Sequence, residues 1–79
     1  MIKGEKQRRN ERAISTLAAN IRRYRLEKKM TIAELANAVG VDYSQIGRME
    51  RGTVNANVSV VFDVADALGV PASRLLETD

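Results

Sequence analysis

The sequence contains no cysteine and no histidine. Without cysteine there is neither a disulfide framework nor a thiolate metal site. Without histidine as well, the commonest general bases, nucleophiles and zinc ligands are missing, so neither an enzyme nor a metal or other cofactor is expected. Tyr24, Tyr43 and Phe62 are the whole aromatic set. They are too few and too scattered to build the stacking platform on which single-stranded nucleic acids are held. No apolar run approaches the roughly 18 residues of a membrane span, and the most apolar stretch, residues 58–70, is interrupted by Asp63 and Asp66. The charged N-terminus is not followed by the apolar segment of a secretory signal. These absences predict a cytoplasmic protein with no membrane partner. Its 79 residues make one domain with a core near the lower limit of self-sufficiency.

What is present is an uneven charge. Lys3, Lys6, Arg8, Arg9 and Arg12 stand against Glu5 and Glu11, and this accounts for the whole formal charge of +3, because residues 14–79 balance. Residues 1–13 are therefore set apart as a basic arm and residues 14–79 as the domain. The arm is read either as a segment that meets phosphates or another polyanion, or as a solvated terminus or an extension of the first helix.

The remainder is patterned as helix throughout. Ile14, Leu17, Ile21 and Tyr24 recur at helical spacing and define a first helix over residues 14–28. Thr31 with Glu34 three residues later has the spacing of a capping box and opens a second helix, closed by Gly40. Asp42 caps a third helix over residues 43–51, with Gln45 three residues on, Ile46 and Met49 inward, and Gly52 at its end. Asn57 caps a fourth, whose apolar positions are Val58, Val61, Val64, Ala65 and Leu68, closed by Gly69. Pro71 opens a short fifth helix over residues 72–77, anchored by Leu75 and Leu76. The expected fold is an all-α, compact five-helix bundle.

Only Gly40, Val41 and Asp42 separate the second and third helices, so the two must cross steeply rather than return antiparallel. A helix-turn-helix unit places alanine, glycine and a branched apolar residue at about positions 5, 9 and 15. Counted from Ile32, these are Ala36, Gly40 and Ile46. Gly47 is set on the outward side of the third helix, where a mid-helix glycine costs about 1 kcal/mol relative to alanine. Close approach of another molecule would account for it, as would simple tolerance.

Further motifs surround this unit: Ile21-Arg22 with Arg25, the run Thr31 to Ala36, Gly40-Val41, the run Ile46 to Gly52, Asn55, and the run Ala65 to Val70. Through them residues 21–76 resemble the Cro and phage-repressor-like helix-turn-helix domains, the xenobiotic-response-element group. The resemblance implies a lambda-repressor-like bundle that docks its third helix in the major groove of double-stranded DNA. It implies base contacts from Tyr43, Ser44 and Arg48, the arginine being suited to the O6 and N7 of guanine. It also implies a buried ion pair between Arg25 and Glu50. Contacts to the DNA backbone are expected from Thr31 at the N-terminus of the second helix, and from Arg51, Thr53 and Asn55. Two positions depart from the family pattern. Ile32 stands where many members carry glutamine, and Asp42 stands where many carry serine or threonine.

The function expected is a transcriptional regulator, in the sense of a repressor, acting as a homodimer. The expected dimer surface lies around Val54, Phe62, Val70 and Leu75. The competing reading is a protein-interaction module such as the antitoxin of a toxin–antitoxin pair, with the N-terminal arm folding on its protein partner.

Overall fold

The computed structural model describes residues 8–78. Among them are five helices and no strand: α1 Glu11–Glu27, α2 Ile32–Val39, α3 Tyr43–Arg51, α4 Val58–Leu68 and α5 Ala72–Leu75. Residues 1–7 and Asp79 lie outside the described residues, and with them Lys3, Lys6 and Glu5 of the basic stretch.

The termini of α2, α3 and α4 follow from side-chain chemistry. At the start of α2 the Glu34 N–H donates to Thr31 Oγ1 at 3.0 Å, and the Thr31 N–H donates to Glu34 Oε1 at 2.8 Å. This reciprocal pair satisfies two of the orphan donors of a helix N-terminus. Asn57 accepts from the Val60 N–H at 2.9 Å and starts α4. Gly40, at φ +88°, carries the chain from α2 into the turn before α3.

The first helix begins three residues before the apolar stripe predicts. Asn10 accepts from the Ala13 N–H at 2.9 Å and caps it, so residues 11–13 are helical. The stripe at Ile14 marks where burial starts, not where the helix does. At the other end Lys29 takes φ +58°, and the Met30 N–H donates to the Arg25 carbonyl at 3.1 Å. This is the left-handed close that glycine makes at the ends of α2, α3 and α4, built here on a lysine.

Ile21, Leu35, Ile46, Val64, Leu68 and Leu75 are fully buried and form the centre of the core. Helix α1 lies against α3, α4 and α5, while α2 packs on α3 and α4. Ala36 is buried under α3, and Ile46 fills the space between α2 and α3, as the helix-turn-helix spacing requires.

Three expectations about apolar residues are corrected. Val58, expected in the core stripe of α4, is 71% exposed, and Val60 is buried in its place. The cap at Asn57 makes Val58 the first helical residue, rotated away from the core. Leu76 is 57% exposed, because α5 ends at Leu75 and adjacent residues of a single turn cannot both face inward. Asn20 fixes that end by donating to the carbonyls of Leu75 and Glu77, each at 2.9 Å. Leu75 itself is fully buried, and Val54 and Val70 are half-buried against the core, so of the expected dimer surface only Phe62 is exposed.

Candidate nucleic-acid interface

Burial of Ile46 and Met49 turns one side of α3 inward and leaves Tyr43, Ser44, Arg48 and Arg51 exposed. The helix is held in that attitude by Arg25, which sits late in α1. Its Nε donates to Glu50 Oε2 at 2.6 Å and its Nη2 to Glu50 Oε1 at 2.9 Å. The two side chains are only 8% and 5% exposed. Its Nη1 donates to the Met30 carbonyl at 2.8 Å, which joins the start of α2 to the same guanidinium. The Glu50 carboxylate hydrogen bond raises the Arg25 pKa further above its ordinary value, against the opposing effect of burial. One arginine therefore connects α1, α2 and α3, the three elements that set the exposed face of α3.

The N-terminus of α3 has a distinct chemistry. Asp42 accepts from the Ser44 N–H at 3.1 Å and also from the Ser44 hydroxyl. These bonds lower the Asp42 pKa, and the positive charge of Arg48 lowers it further. The hydroxyl proton of Ser44 is thus committed to Asp42, leaving its lone pairs outward as acceptors. Gln45, which has the spacing of a capping-box partner, is half-buried and lines a shallow concavity with Arg48 and Asn55 instead.

Gly47 is corrected. It is buried, not open, and the atom nearest a Cβ built there would be Arg51 Nη1 at 3.1 Å. The molecule that approaches Gly47 is the chain itself: the Arg51 side chain folds back along α3 over the glycine.

The expected backbone contacts are divided. Thr31 is exposed, with its hydroxyl oxygen accepting in the α2 cap. Thr53 donates from its hydroxyl to the Arg48 carbonyl at 3.2 Å, tying the α3–α4 loop to α3. Asn55 Nδ2 donates to the Arg8 carbonyl at 2.7 Å, a contact no sequence pattern signals because the partner is backbone. Ile32 is half-buried against the core, so it continues the interior where a polar side chain would continue the surface.

Comparison with known proteins follows the same outline. A family profile described as helix-turn-helix matches residues 21–75. A hypothetical transcription factor from Neisseria meningitidis serogroup B is 37% identical over 62 residues, which are 78% of this chain and 58% of that protein. The chain thus spans little more than half the length of the curated relative it matches. The crystal structure of a Neisseria hypothetical transcription factor superimposes with a TM-score of 0.81 at 32% identity, over 92% of this chain and 85% of the other. The clp gene regulator ClgR from Corynebacterium glutamicum gives 0.78 at 30% identity, over 81% and 82%. SinR, a master regulator of biofilm formation solved in complex with DNA, gives 0.74 at 31% identity, over 77% and 98%.

Proposed function

This chain belongs to the helix-turn-helix family, and on that premise we propose that it is a transcriptional regulator that binds duplex DNA with α3 in the major groove. The observation that carries this reading is the exposed face of α3, where Tyr43, Ser44 and Arg48 stand outward on a helix fixed from behind by Arg25 and Glu50. The groove of B-DNA admits one helix, and its floor offers the donors and acceptors that such side chains can distinguish. Arg48 supplies donors for guanine. Ser44, with its proton held by Asp42, supplies an acceptor for an exocyclic amino group of adenine or cytosine. Thr31 and Arg51 flank this face as contacts to phosphate.

The protein acts as a homodimeric repressor in the cytoplasm. Two copies related by a two-fold axis place two α3 helices about 34–36 Å apart, one turn of DNA, on a palindromic site. The surface for the second copy is the exposed apolar set Val58, Phe62 and Leu76 beside a groove floored by Ile14, Leu17 and Val61.

In vitro selection of bound duplexes from a random pool tests the reading in one experiment. The expected product is an inverted repeat with half-sites one turn apart. Recovery of no enriched duplex would overturn DNA recognition, and enrichment of a single half-site would overturn the dimer.

A further inference from the structure

The basic residues before α1 have no assigned place in the interface above, yet the last of them are anchored. Asn55 Nδ2 donates to the Arg8 carbonyl at 2.7 Å, joining residues 47 apart in sequence. Asn55 also lines the concavity beside α3 together with Arg48 and Gln45. On its other side it borders, with the α1 cap Asn10, the groove floored by Ile14 and Leu17. The entry of the chain into α1 is thus laid against the α3–α4 loop, on the flank of α3 where Arg48 emerges. Arg9 is occupied by Glu11, Nε to Oε2 at 2.7 Å. Arg8 and Arg12 are exposed and form no ion pair among the described residues.

We propose that Asn55 is a positioning residue whose hydrogen bond to Arg8 sets the Arg8 guanidinium beside α3 as a contact to the DNA backbone. The inference rests on the DNA-binding reading and revises one part of it. Asn55 acts through Arg8 and is not itself the group that meets phosphate. An amide oxygen cannot donate to a phosphate, and one of the two amide protons is committed to the Arg8 carbonyl. A guanidinium is the better partner, since it is always charged and presents a fork of donors to phosphate oxygens. Phosphates recur along the duplex whatever its sequence, so a cation fixed next to a helix in the groove meets one without contributing to base choice.

The test uses the full chain and a mixed-sequence DNA duplex, with binding followed by fluorescence anisotropy across a salt series. Each phosphate contact contributes about 0.9 to the slope of log affinity against log salt. Arg8→Gln should flatten the slope by about that amount per protomer and leave the melting temperature unchanged. Asn55→Ala should flatten it similarly, and the double variant should be no flatter than Arg8→Gln alone. A merely structural Asn55 would lower the melting temperature without moving the slope. If Asn55→Ala flattens the slope further in the Arg8→Gln background, the amide contacts DNA in its own right and the positioning role is wrong. An unchanged slope for Arg8→Gln overturns the phosphate contact while leaving the DNA-binding reading intact. If the wild-type chain binds no duplex at any salt, that reading fails and this inference with it. Should Asn55→Ala fail to fold, Asn55→Gln displaces the same donor by one methylene and carries the same expectations.

Discussion

Arg25 enters the interior of a small bundle with Nε, Nη1 and Nη2 each donating, to a carboxylate and to a backbone carbonyl. Among the described residues no buried side-chain nitrogen or oxygen lacks a partner. A buried ion pair is weak evidence of net stabilisation, because both charges lose their water, but removing one partner strands the other. Arg25→Ala and Glu50→Ala should therefore each destabilise by about 3–5 kcal/mol. The double variant should lose much less than the sum, and urea denaturation of the four proteins in a cycle checks it. Additive losses would show that the two side chains act independently. Gly47 tests the same helix from its other side. Alanine there gains about 1 kcal/mol of helix propensity. It also meets the mobile end of Arg51 at 3.1 Å, which can swing away. Gly47→Ala should raise stability by up to about 1 kcal/mol and free the Arg51 guanidinium. A lowered melting temperature would show that Arg51 is fixed where it lies. Asp42 adds a dependence on pH. Its folded pKa is depressed by Ser44, so its contribution is fully present above the unfolded value of about 3.9 and is lost as pH falls through the lower folded value. Asp42→Asn keeps a cap acceptor and should remove that part of the acid sensitivity, read from denaturation midpoints across the acid range.

At the scale of elements, legibility followed the strength of the local chemistry. The reciprocal cap of α2, the glycine at its end and the small residue at Ala36 each leave a residue type at a fixed spacing, and all three stand where the sequence sets them. The first helix lacks such signals at both ends. Its cap, Asn10, lies among charged residues that hide it, and its close falls on Lys29, a residue type that gives no warning of a left-handed backbone. The short α5 ends at Leu75 and not at residue 77, since Leu75 and Leu76 are equally apolar and only tertiary packing decides which is buried. The outward face of α3 was legible from periodicity, but the covering of Gly47 was not, since it depends on the rotamer of Arg51. Two of the left-handed turns, at Lys29 and Gly40, predict opposite signs of substitution. Lys29→Gly relieves a conformation that costs a non-glycine residue about 1–2 kcal/mol, partly offset by the freedom glycine gains when unfolded, so it should stabilise by about 0.5–1 kcal/mol. Gly40→Ala meets no atom within 4 Å yet imposes φ +88° on a Cβ, so it should destabilise by about 1–2 kcal/mol. Thermal melts of the two variants compare them directly. A stabilised Gly40→Ala would mean that the α2–α3 turn can relax, and the fixed relation between those helices would be lost as an argument.

On the scale of the whole molecule, one apolar face has no covering element among the described residues. Val58 is 71%, Phe62 55% and Leu76 57% exposed, and they surround a groove that reaches the core residue Ile14. Scattered apolar residues are ordinary on a protein surface, but these three surround one groove and are the surface that the proposed dimer would bury. A two-fold interface counts every residue twice, once from each copy. Fully burying a phenylalanine is worth about 1.5–3 kcal/mol, and Phe62, 55% exposed, has about half of that left to gain in each copy, so replacing it by aspartate should weaken dimerisation by about 2–3 kcal/mol, on the order of a hundredfold in the dissociation constant. Phe62 already meets solvent, so the bundle itself should keep its melting temperature once the protein is monomeric. Sedimentation equilibrium reads the first effect and a thermal melt at low concentration the second. DNA binding separates the dimer from the fold. On a duplex with two half-sites one turn apart, Phe62→Asp should lose the gain that comes from joining two reading heads. On a duplex with a single half-site the variant should bind as the wild-type monomer does, because Phe62 is on α4 whereas Tyr43, Ser44 and Arg48 are on α3. A dimer constant unmoved by Phe62→Asp would place the two-fold axis elsewhere. An equal loss on both duplexes would show that the face around Phe62 supports α3 itself and is not a surface for a second copy.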